Sequence, residues 1–374
     1  MKILAVCSTI DFRNFVRRAT LEEIWRQNPE TDFLFFTGIK NRFKGKNIIE
    51  GPKFYSYHFW IPEKFKKKKK CSFIEYKLRG KRWRNFFKNY DIIFLSDPNQ
   101  YYLLPYLNRQ KVVYLLRDPN ILLNKQNYFK EKQILERTDL ILAISKNLAY
   151  YYLPKHYTNY TSNIKIWSNS VDLGLWNVNK LLPLRQGGNS PIIGLAGNLT
   201  FVNDMELLDY ITDKRSGYNF RLAGEVRLEG EKQKIFNKLI KKKNVNHLGR
   251  IPLEEFPKEV INWTIGIVAG DRGQEYSKYL NNNKQYQYLA LGKPFVTYNH
   301  NAEYDDFGGM VFVARDKEDF VKKIDNAIQR SGMKDCIEKG RYIAQRNSAK
   351  IRASEFLHYV SETCPVQSNT KNGE

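Results

Sequence analysis

Short apolar runs, each followed by polar or turn-forming residues, recur along the chain and constrain its fold more than any other feature. In the first half, five such runs are typical of buried strands: Lys2–Cys7, Asp32–Thr37, Asp91–Ser96, Lys111–Leu116 and Leu140–Ser145. Between the first two runs, residues 14–26 have the apolar spacing of an amphipathic helix. Strands that alternate with helices are typical of a parallel sheet, so the first half is predicted to be an α/β domain.

The same alternation restarts in the second half. Ile192–Ala196 and Asn219–Ala223 are predicted strands, and a helix is predicted between them from Asp204 to Thr212. A polar stretch with Gly and Pro, residues 181–191, precedes this restart and is typical of a linker. A chain of 374 residues with 42% hydrophobic content is long enough for two cores, so two domains are predicted.

The positive charge is the strongest compositional signal. The formal net charge is +23, and residues 1–170 carry 32 Lys and Arg against 14 Asp and Glu. Such a field attracts polyanions, which include nucleic acid, anionic lipid and phosphorylated substrates. The opening strand lacks Gly-x-Gly-x-x-Gly, so no dinucleotide cofactor is expected there.

One basic segment stands out within this field. Residues 64–70 read Lys-Phe followed by five lysines, and a basic stretch interleaved with aromatic residues continues to Lys88. This pattern suits the surface of an anionic membrane, which would be faced by Lys66, Lys67, Lys68, Lys69, Lys70 and Trp83. It suits equally a core-facing helix with a solvated basic face. No nucleic-acid-binding motif lies beside it, so nucleic acid is not an expected partner.

Other site chemistries find little support. The four cysteines have no metal-ligand spacing and fit a reducing cytoplasm without a disulfide framework. The histidines likewise show no ligand spacing, so no metal is expected. No apolar run approaches the roughly 18–20 residues that span a bilayer.

The segment from Tyr279 to Thr297 predicts a polar loop, a short helix and a buried strand. Lys284 and Gln287 share one face of the helix, and Gly292 ends it. A lysine at a helix start suits a phosphate, because the free backbone N–H groups and the helix dipole add to its charge. An ordinary helix with a solvated lysine has the same pattern.

This segment resembles a known donor-site signature. Asn-x-Lys-x-Tyr-Gln-Tyr-Leu-Ala-x-Gly-Lys-Pro, residues 282–294, is similar to the motif of nucleotide-sugar glycosyltransferases with the GT-B fold. The usual proline and glutamate of that motif are replaced by Asn282 and Gln287. The resemblance continues, in the same order, through residues 204–208, 220–225 and 245–257, and residues 204–208 are similar to the teichuronic-acid and xanthan-type bacterial enzymes.

The resemblance implies two Rossmann-like domains facing each other across a cleft. Residues 1–170 would bind the acceptor, 171–190 would link the domains, 191–345 would bind the donor, and 346–374 would form a helix that crosses back and a tail. The donor would be a nucleotide-diphosphate sugar, with UDP favoured. The acceptor would be a glycan or lipid-linked molecule of surface polysaccharide biosynthesis, at the inner face of the membrane.

The resemblance also assigns the donor site. Lys284, with backbone groups near it, would neutralise the leaving diphosphate, Gln287 would bind the ribose, and Arg250 with Ile251 would contact the base. The backbone groups belong to Gly197, Asn198, Asn282 and Asn283.

The catalytic base and the stereochemistry follow from the same resemblance. Asp118 ends a first-domain strand and is the predicted base, with Asp97 as the alternative. Retaining members often place two glutamates eight residues apart, where this chain has Tyr279 and Gln287. Metal-independent transfer with inversion is therefore expected. The alternative function is a polyanion-binding or degenerate, non-catalytic protein on the same scaffold.

Overall fold

Two parallel sheets form the centres of two compact units. The computed structural model describes residues 1–7, 17–37, 53–58, 80–158, 160, 162–177, 179, 190–298 and 302–365. Unit 1 takes the described residues of Met1–Ile144 and Leu148–Trp167 and those from Arg352 onward. Unit 2 takes those of Ser145–Asn147 and Ser168–Ile351.

The sheet of unit 1 is parallel throughout and has the strand order β3-β2-β1-β4-β5-β6-β7. Its strands are β1 (Ile3–Cys7), β2 (Thr31–Thr37), β3 (Phe54–His58), β4 (Ile92–Leu95), β5 (Lys111–Leu116), β6 (Leu140–Ala143) and β7 (Asn163–Ile166). The side chains of β1, β4 and β6 are buried along their whole length, as the apolar runs require of strands covered on both faces.

Helices surround this sheet. They are α1 (Arg18–Gln27), α2 (Gly80–Phe87), α3 (Asn120–Leu123), α4 (Asn127–Arg137) and α5 (Leu153–His156), with a 3₁₀ helix at Pro98–Tyr106 and a π turn at Leu148–Tyr152. The C-terminal part of the chain belongs to the same core. The Phe356 ring packs 5.5 Å from Trp167 and 5.0 Å from Phe94, and Trp167 donates a 2.7 Å hydrogen bond to the carbonyl oxygen of Arg352.

The sheet of unit 2 is also parallel, with the order β10-β9-β8-β11-β12-β13. Its strands are β8 (Ile192–Ala196), β9 (Asn219–Ala223), β10 (Val245–Gly249), β11 (Ile265–Val268), β12 (Phe295–Thr297) and β13 (Val311–Val313). Its helices are α6 (Met205–Lys214), α7 (Gly230–Leu239), α8 (Phe256–Val260), α9 (Asn283–Ala290), α10 (Lys317–Arg330), α11 (Lys334–Arg346) and the start of α12 (Ala349–Thr363). Two further 3₁₀ helices are Glu275–Tyr279 and Ala302–Phe307.

Both sheets reverse their strand order at one point, between β1 and β4 in unit 1 and between β8 and β11 in unit 2. Loops that leave neighbouring strands on opposite sides open a crevice at such a point, where ligands of doubly wound folds bind. The predicted fold class, α/β with two Rossmann-like domains, is confirmed.

The structure corrects the predicted linker. Val171 and Trp176 are each 2% exposed in the core of unit 2, and Val171 forms a β-bridge with Ser348. Burial of these apolar side chains holds residues 171–177 in the domain, whereas residues 178 and 180–189 lie outside the described residues. Residues 145–147 were predicted to lie in the acceptor domain, and residues 346–351 in the helix that crosses back. Both segments belong to unit 2.

Candidate functional site

The loop after β8 lies against a second glycine loop. Gly197 has φ +103° and Gly224, after β9, has φ +153°, conformations that side chains disfavour. A Cβ at Gly224 would lie 2.2 Å from the carbonyl oxygen of Gly197 and 2.9 Å from the amide nitrogen of Asn198. Only glycine permits this close approach of the two loops. They are joined by a 2.8 Å hydrogen bond from the amide of Gly197 to the carbonyl oxygen of Ala223.

The side chain of Lys284 reaches this loop from helix α9. Lys284 is the second residue of the helix, as the sequence predicts, and a Cβ at Gly197 would lie 2.8 Å from its Nζ. Burial lowers the pKa of Lys284 to about 8. No carboxylate among the described residues forms an ion pair with it. Lys284 is therefore a crowded cation, and none of the described residues supplies its counter-charge.

A set of buried amides shapes the loop before α9. Asn281 is 3% exposed, accepts a 3.1 Å hydrogen bond from Gln285 and donates one of 3.2 Å to Tyr286. Its carbonyl oxygen accepts a hydrogen bond from the amide of Asn169. Ser145 donates to the carbonyl oxygen of Tyr279 at 2.9 Å. These bonds fix where α9 begins and hence where Lys284 points.

Three other predicted donor-site residues precede α9 or lie in it. Asn282 precedes α9 in an extended conformation, without a capping hydrogen bond from its side chain. Asn283 has a buried Oδ1 without a hydrogen-bond partner, and Gln287 is half-buried.

The residues predicted to contact the base lie after β10. Arg250 is exposed and pairs with Glu225 at 3.2 Å, while Ile251 is half-buried against the core of unit 2. Arg227 also pairs with Glu225, at 2.5 Å. Glu225 directly follows Gly224 and donates its amide to Oδ1 of Asn198 at 3.2 Å, so this charged group borders the glycine loops. Nε2 of His247 lies 3.0 Å from the carbonyl oxygen of Gly224, to which it donates in the tautomer protonated at Nε2.

Together these groups have the chemistry to bind an anion at the point where the strand order reverses. The first N–H groups of α9 have no intrahelical acceptor, and the helix dipole is positive at this end. The Lys284 ammonium group adds its charge directly beside the Gly197 loop. The arrangement suits one or two phosphate groups.

Asp118 and Asp97 lie at the carboxyl ends of neighbouring strands in unit 1. Asp118 accepts a 2.8 Å hydrogen bond from Nε of Arg117. Burial disfavours the charged guanidinium, but Asp118 and then Asp97 outweigh it and raise the pKa of Arg117. Asp97 caps the following 3₁₀ helix, where it accepts from the amide of Asn99 at 2.8 Å. Asp97 thus caps a helix, and Asp118 forms an ion pair with Arg117.

The structure corrects the placement of Trp83 at a membrane-facing surface. Trp83 is 5% exposed and stacks on Phe87 with ring centroids 5.4 Å apart. On the same helix, Lys81, Arg82 and Arg84 are exposed. Helix α2 therefore turns its aromatic face to the core because indole burial is favourable, and its basic face to solvent. Lys66, Lys67, Lys68, Lys69 and Lys70 lie outside the described residues.

Two features are absent from the described part of the chain, a cluster of metal ligands and a membrane-spanning helix. Within the described ranges, no three His, Cys, Asp or Glu side chains gather as metal ligands. None of the helices in that part of the chain is long and apolar enough to cross a bilayer.

Sequence reasoning missed several residues that shape the site. Asn169 and Ser145 precede unit 2's first strand in the chain but hold the loop before α9. Gly224 follows β9 and faces Gly197. Gly224 lies in the resembling segment 220–225, directly after an apolar strand, but no local pattern pairs it with Gly197. The partners of Asn169 and Ser145 lie more than a hundred residues away.

Comparisons with known proteins support the architecture. No family model and no curated protein matches the sequence. Among solved structures, sucrose-phosphate synthase from Thermosynechococcus elongatus is similar, with a TM-score of 0.73 at 12% identity over 97% of this chain and 99% of that one. Anabaena HepE, solved in complex with UDP and glucose, has a TM-score of 0.71 at 13% identity over 97% and 100%.

A third similar structure is named as an epimerase. A putative UDP-N-acetylglucosamine 2-epimerase from Listeria monocytogenes has a TM-score of 0.58 at 11% identity over 96% of both chains. Identities this low establish the fold and leave the reaction to be argued from the site. The chain therefore has the GT-B fold, and its resemblance to the glycosyltransferases of that fold is confirmed in architecture.

Proposed function

We propose that this protein is a glycosyltransferase that moves a sugar from a nucleotide-diphosphate sugar to a hydroxyl group of a glycan or lipid-linked acceptor. One observation carries the proposal. The Lys284 ammonium group is crowded against the Gly197 loop, at the reversal of strand order, without a carboxylate partner among the described residues. Keeping a charge there costs stability, and a bound diphosphate would supply the missing counter-charge.

The proposed reaction needs charge stabilisation at the leaving group. The bond between the anomeric carbon and the diphosphate oxygen breaks, and negative charge grows on that oxygen. Lys284 and the N–H groups at the start of α9 would stabilise this charge. Gln287, one turn further along the helix, would bind the ribose, and the backbone near Arg250 and Ile251 would contact the base.

On the acceptor side, the proposed base is Asp118. The acceptor oxygen bonds to the anomeric carbon, and its proton passes to the Asp118 carboxylate. With a single displacement, the product has inverted anomeric configuration. No metal is assigned a role in this proposal, because the lysine and the helix terminus supply positive charge.

UDP is the first nucleotide to test, since the structurally similar HepE was solved with UDP. Calorimetric titration with UDP, GDP and ADP, each at low and moderate salt, tests the donor site. Saturable binding of one nucleotide at moderate salt, followed by its release from the matching nucleotide sugar in the presence of acceptor, would support a transferase. Nonspecific binding of any polyanion with a steep salt dependence would instead support the polyanion-binding alternative.

The proposed location is the inner face of the membrane, reached from the cytoplasm. Its support is the excess of basic residues in the first 170 positions and the lysine run at residues 66–70. Flotation with vesicles that contain anionic lipid would compare the wild type with a variant in which these five lysines are glutamine. Equal partitioning of the two proteins would reject a role for the run, and Lys125→Gln, an exposed lysine elsewhere in unit 1, is a single-charge control.

A further inference from the structure

Glu131, in helix α4, is a fully buried carboxylate held by four hydrogen-bond donors. The Tyr114 hydroxyl and the Asn120 side-chain amide each donate to Oε1 at 2.6 Å. The Tyr157 hydroxyl donates to Oε2 at 2.7 Å and that of Tyr152 at 3.2 Å. Within the described residues, Glu131 forms no salt bridge.

A buried carboxylate lowers the stability of the fold unless all of its hydrogen bonds are made. Burial raises the pKa of Glu131, and hydrogen bonds from Tyr114, Tyr157, Asn120 and Tyr152 oppose that rise. An apolar side chain in the same place would pack without any of these requirements. A fully satisfied polar network, in contrast, allows only one arrangement of its members. The hydrogen bonds to Glu131 therefore fix the part of the fold that carries their donors.

The network holds the loop between β5 and α4. The Asn120 side chain is itself a member, and its carbonyl oxygen accepts a 3.0 Å hydrogen bond from the Asn127 side chain. Tyr152 bonds to Glu131 and also accepts the backbone N–H of Ile121 at 3.1 Å. Asp118, the proposed base, stands two residues before Asn120 in this loop.

We propose that Glu131 is a positioning residue that places Asp118 by anchoring Asn120 and Ile121. The inference rests on the proposed function, because it assumes that Asp118 takes the acceptor proton. Glu131 itself is buried and acts only through the loop. A carboxylate presents acceptors at both oxygens, whereas glutamine presents one acceptor and one donor to the same four groups. Even an isosteric amide therefore disturbs the loop.

The test uses Glu131→Gln and Tyr152→Phe in the full-length protein. Hydrogen exchange of residues 117–123 without substrate reports the anchoring directly. Both variants should exchange faster at Ile121 and lose roughly 10- to 100-fold in kcat, the size expected from a small displacement of a catalytic group. Nucleotide affinity should stay unchanged, since the Lys284 site lies in the other unit.

A double variant and a control separate positioning from general destabilisation. In an Asp118→Asn background, Glu131→Gln should cause no further loss of kcat, because the two residues act as one unit. Ile134→Val, fully buried on the same helix, removes a methyl group but no hydrogen bond to the loop, so kcat should not change.

Three results would overturn the inference: unchanged exchange at Ile121, unchanged kcat in Glu131→Gln, or full additivity with Asp118→Asn. If the wild type transfers no sugar, the proposed function fails on its own account. The exchange measurement then still decides whether Glu131 anchors the loop.

Discussion

The Asp118 loop in unit 1 and the Lys284 loop in unit 2 differ in whether their charged side chains have partners that compensate the charge. Asp118 pairs with Arg117, and the Glu131 carboxylate behind it receives four hydrogen bonds. Lys284 is crowded by backbone and has no such partner among the described residues. The charges of the first loop are compensated within unit 1, whereas the proposed diphosphate would compensate the charge of the second. Charge left uncompensated in a folded domain thus indicates where a ligand of opposite charge binds.

The largest expected effect is on turnover. Asp118→Asn should lower kcat by about 10²- to 10⁴-fold, the usual contribution of a general base, while nucleotide affinity stays nearly unchanged. Asp97→Asn is the matched control, because asparagine also caps helices. Full turnover in Asp118→Asn together with loss in Asp97→Asn would move the role to Asp97. A product with retained anomeric configuration would reject the inverting mechanism.

Replacement of Lys284 should change affinity and stability in opposite directions. Lys284→Met should weaken UDP binding by about 1.5–3 kcal/mol, the range for hydrogen bonds to charged groups. It should also raise the Tm of the free protein at pH 7, because it removes a cation that folding desolvates. Lys293→Met is the control, since Lys293 is also buried with a pKa lowered to about 8. Equal loss of UDP affinity in both variants would remove the specific role of Lys284.

The glycine contact offers a backbone test of the same site. Gly224→Ala would push a methyl group against the carbonyl of Gly197 and strain a residue at φ +153°, at a cost of about 1–3 kcal/mol for the backbone alone. We expect weaker UDP binding and a lower Tm. Gly230 also has a positive φ, but a Cβ there would meet no atom within 4 Å. Gly230→Ala should therefore keep its affinity for UDP. Unimpaired binding in Gly224→Ala would show that the loops need not touch.

The pH dependence should be the smallest effect. UDP-glucose serves as the probe, since its diphosphate does not titrate near neutrality. Because the pKa of Lys284 in the free protein is about 8, affinity should be constant below that pH and should fall by at most tenfold per pH unit above it. Lys284→Met should abolish this fall, and Lys293→Met should keep it. A flat profile in the wild type would contradict the assignment.

Stability should follow the opposite trend over the same range. The pKa of Lys284 is lower in the folded than in the unfolded protein, so the unfolded state binds more protons between the two values. The contribution of Lys284 therefore makes the free energy of unfolding rise with pH above about 8. Thermal denaturation of wild type and Lys284→Met across this range measures that difference.

Much of unit 2 was predictable because its signals are local. Gly292, at φ +68°, ends helix α9 where the sequence predicts, since only glycine enters that conformation without strain. Lys284 lies in the first turn of the helix, where a lysine at the helix start is predicted, because its position depends on a few neighbouring residues. Val171 and Trp176 were assigned to a linker because a polar, Gly- and Pro-containing segment follows them, and the core that buries them comes from distant parts of the chain.

The sequence by itself determined the alternation of strands and helices, the two α/β domains and the helix start next to Lys284. These follow from side-chain periodicity and from backbone preferences of single residues. Only the tertiary structure decided that Gly224 meets Gly197, that Trp83 turns inward and that Glu131 gathers three tyrosines and an asparagine. Such contacts depend on where the sheet brings distant segments together, and no local pattern encodes the partner of a buried polar group.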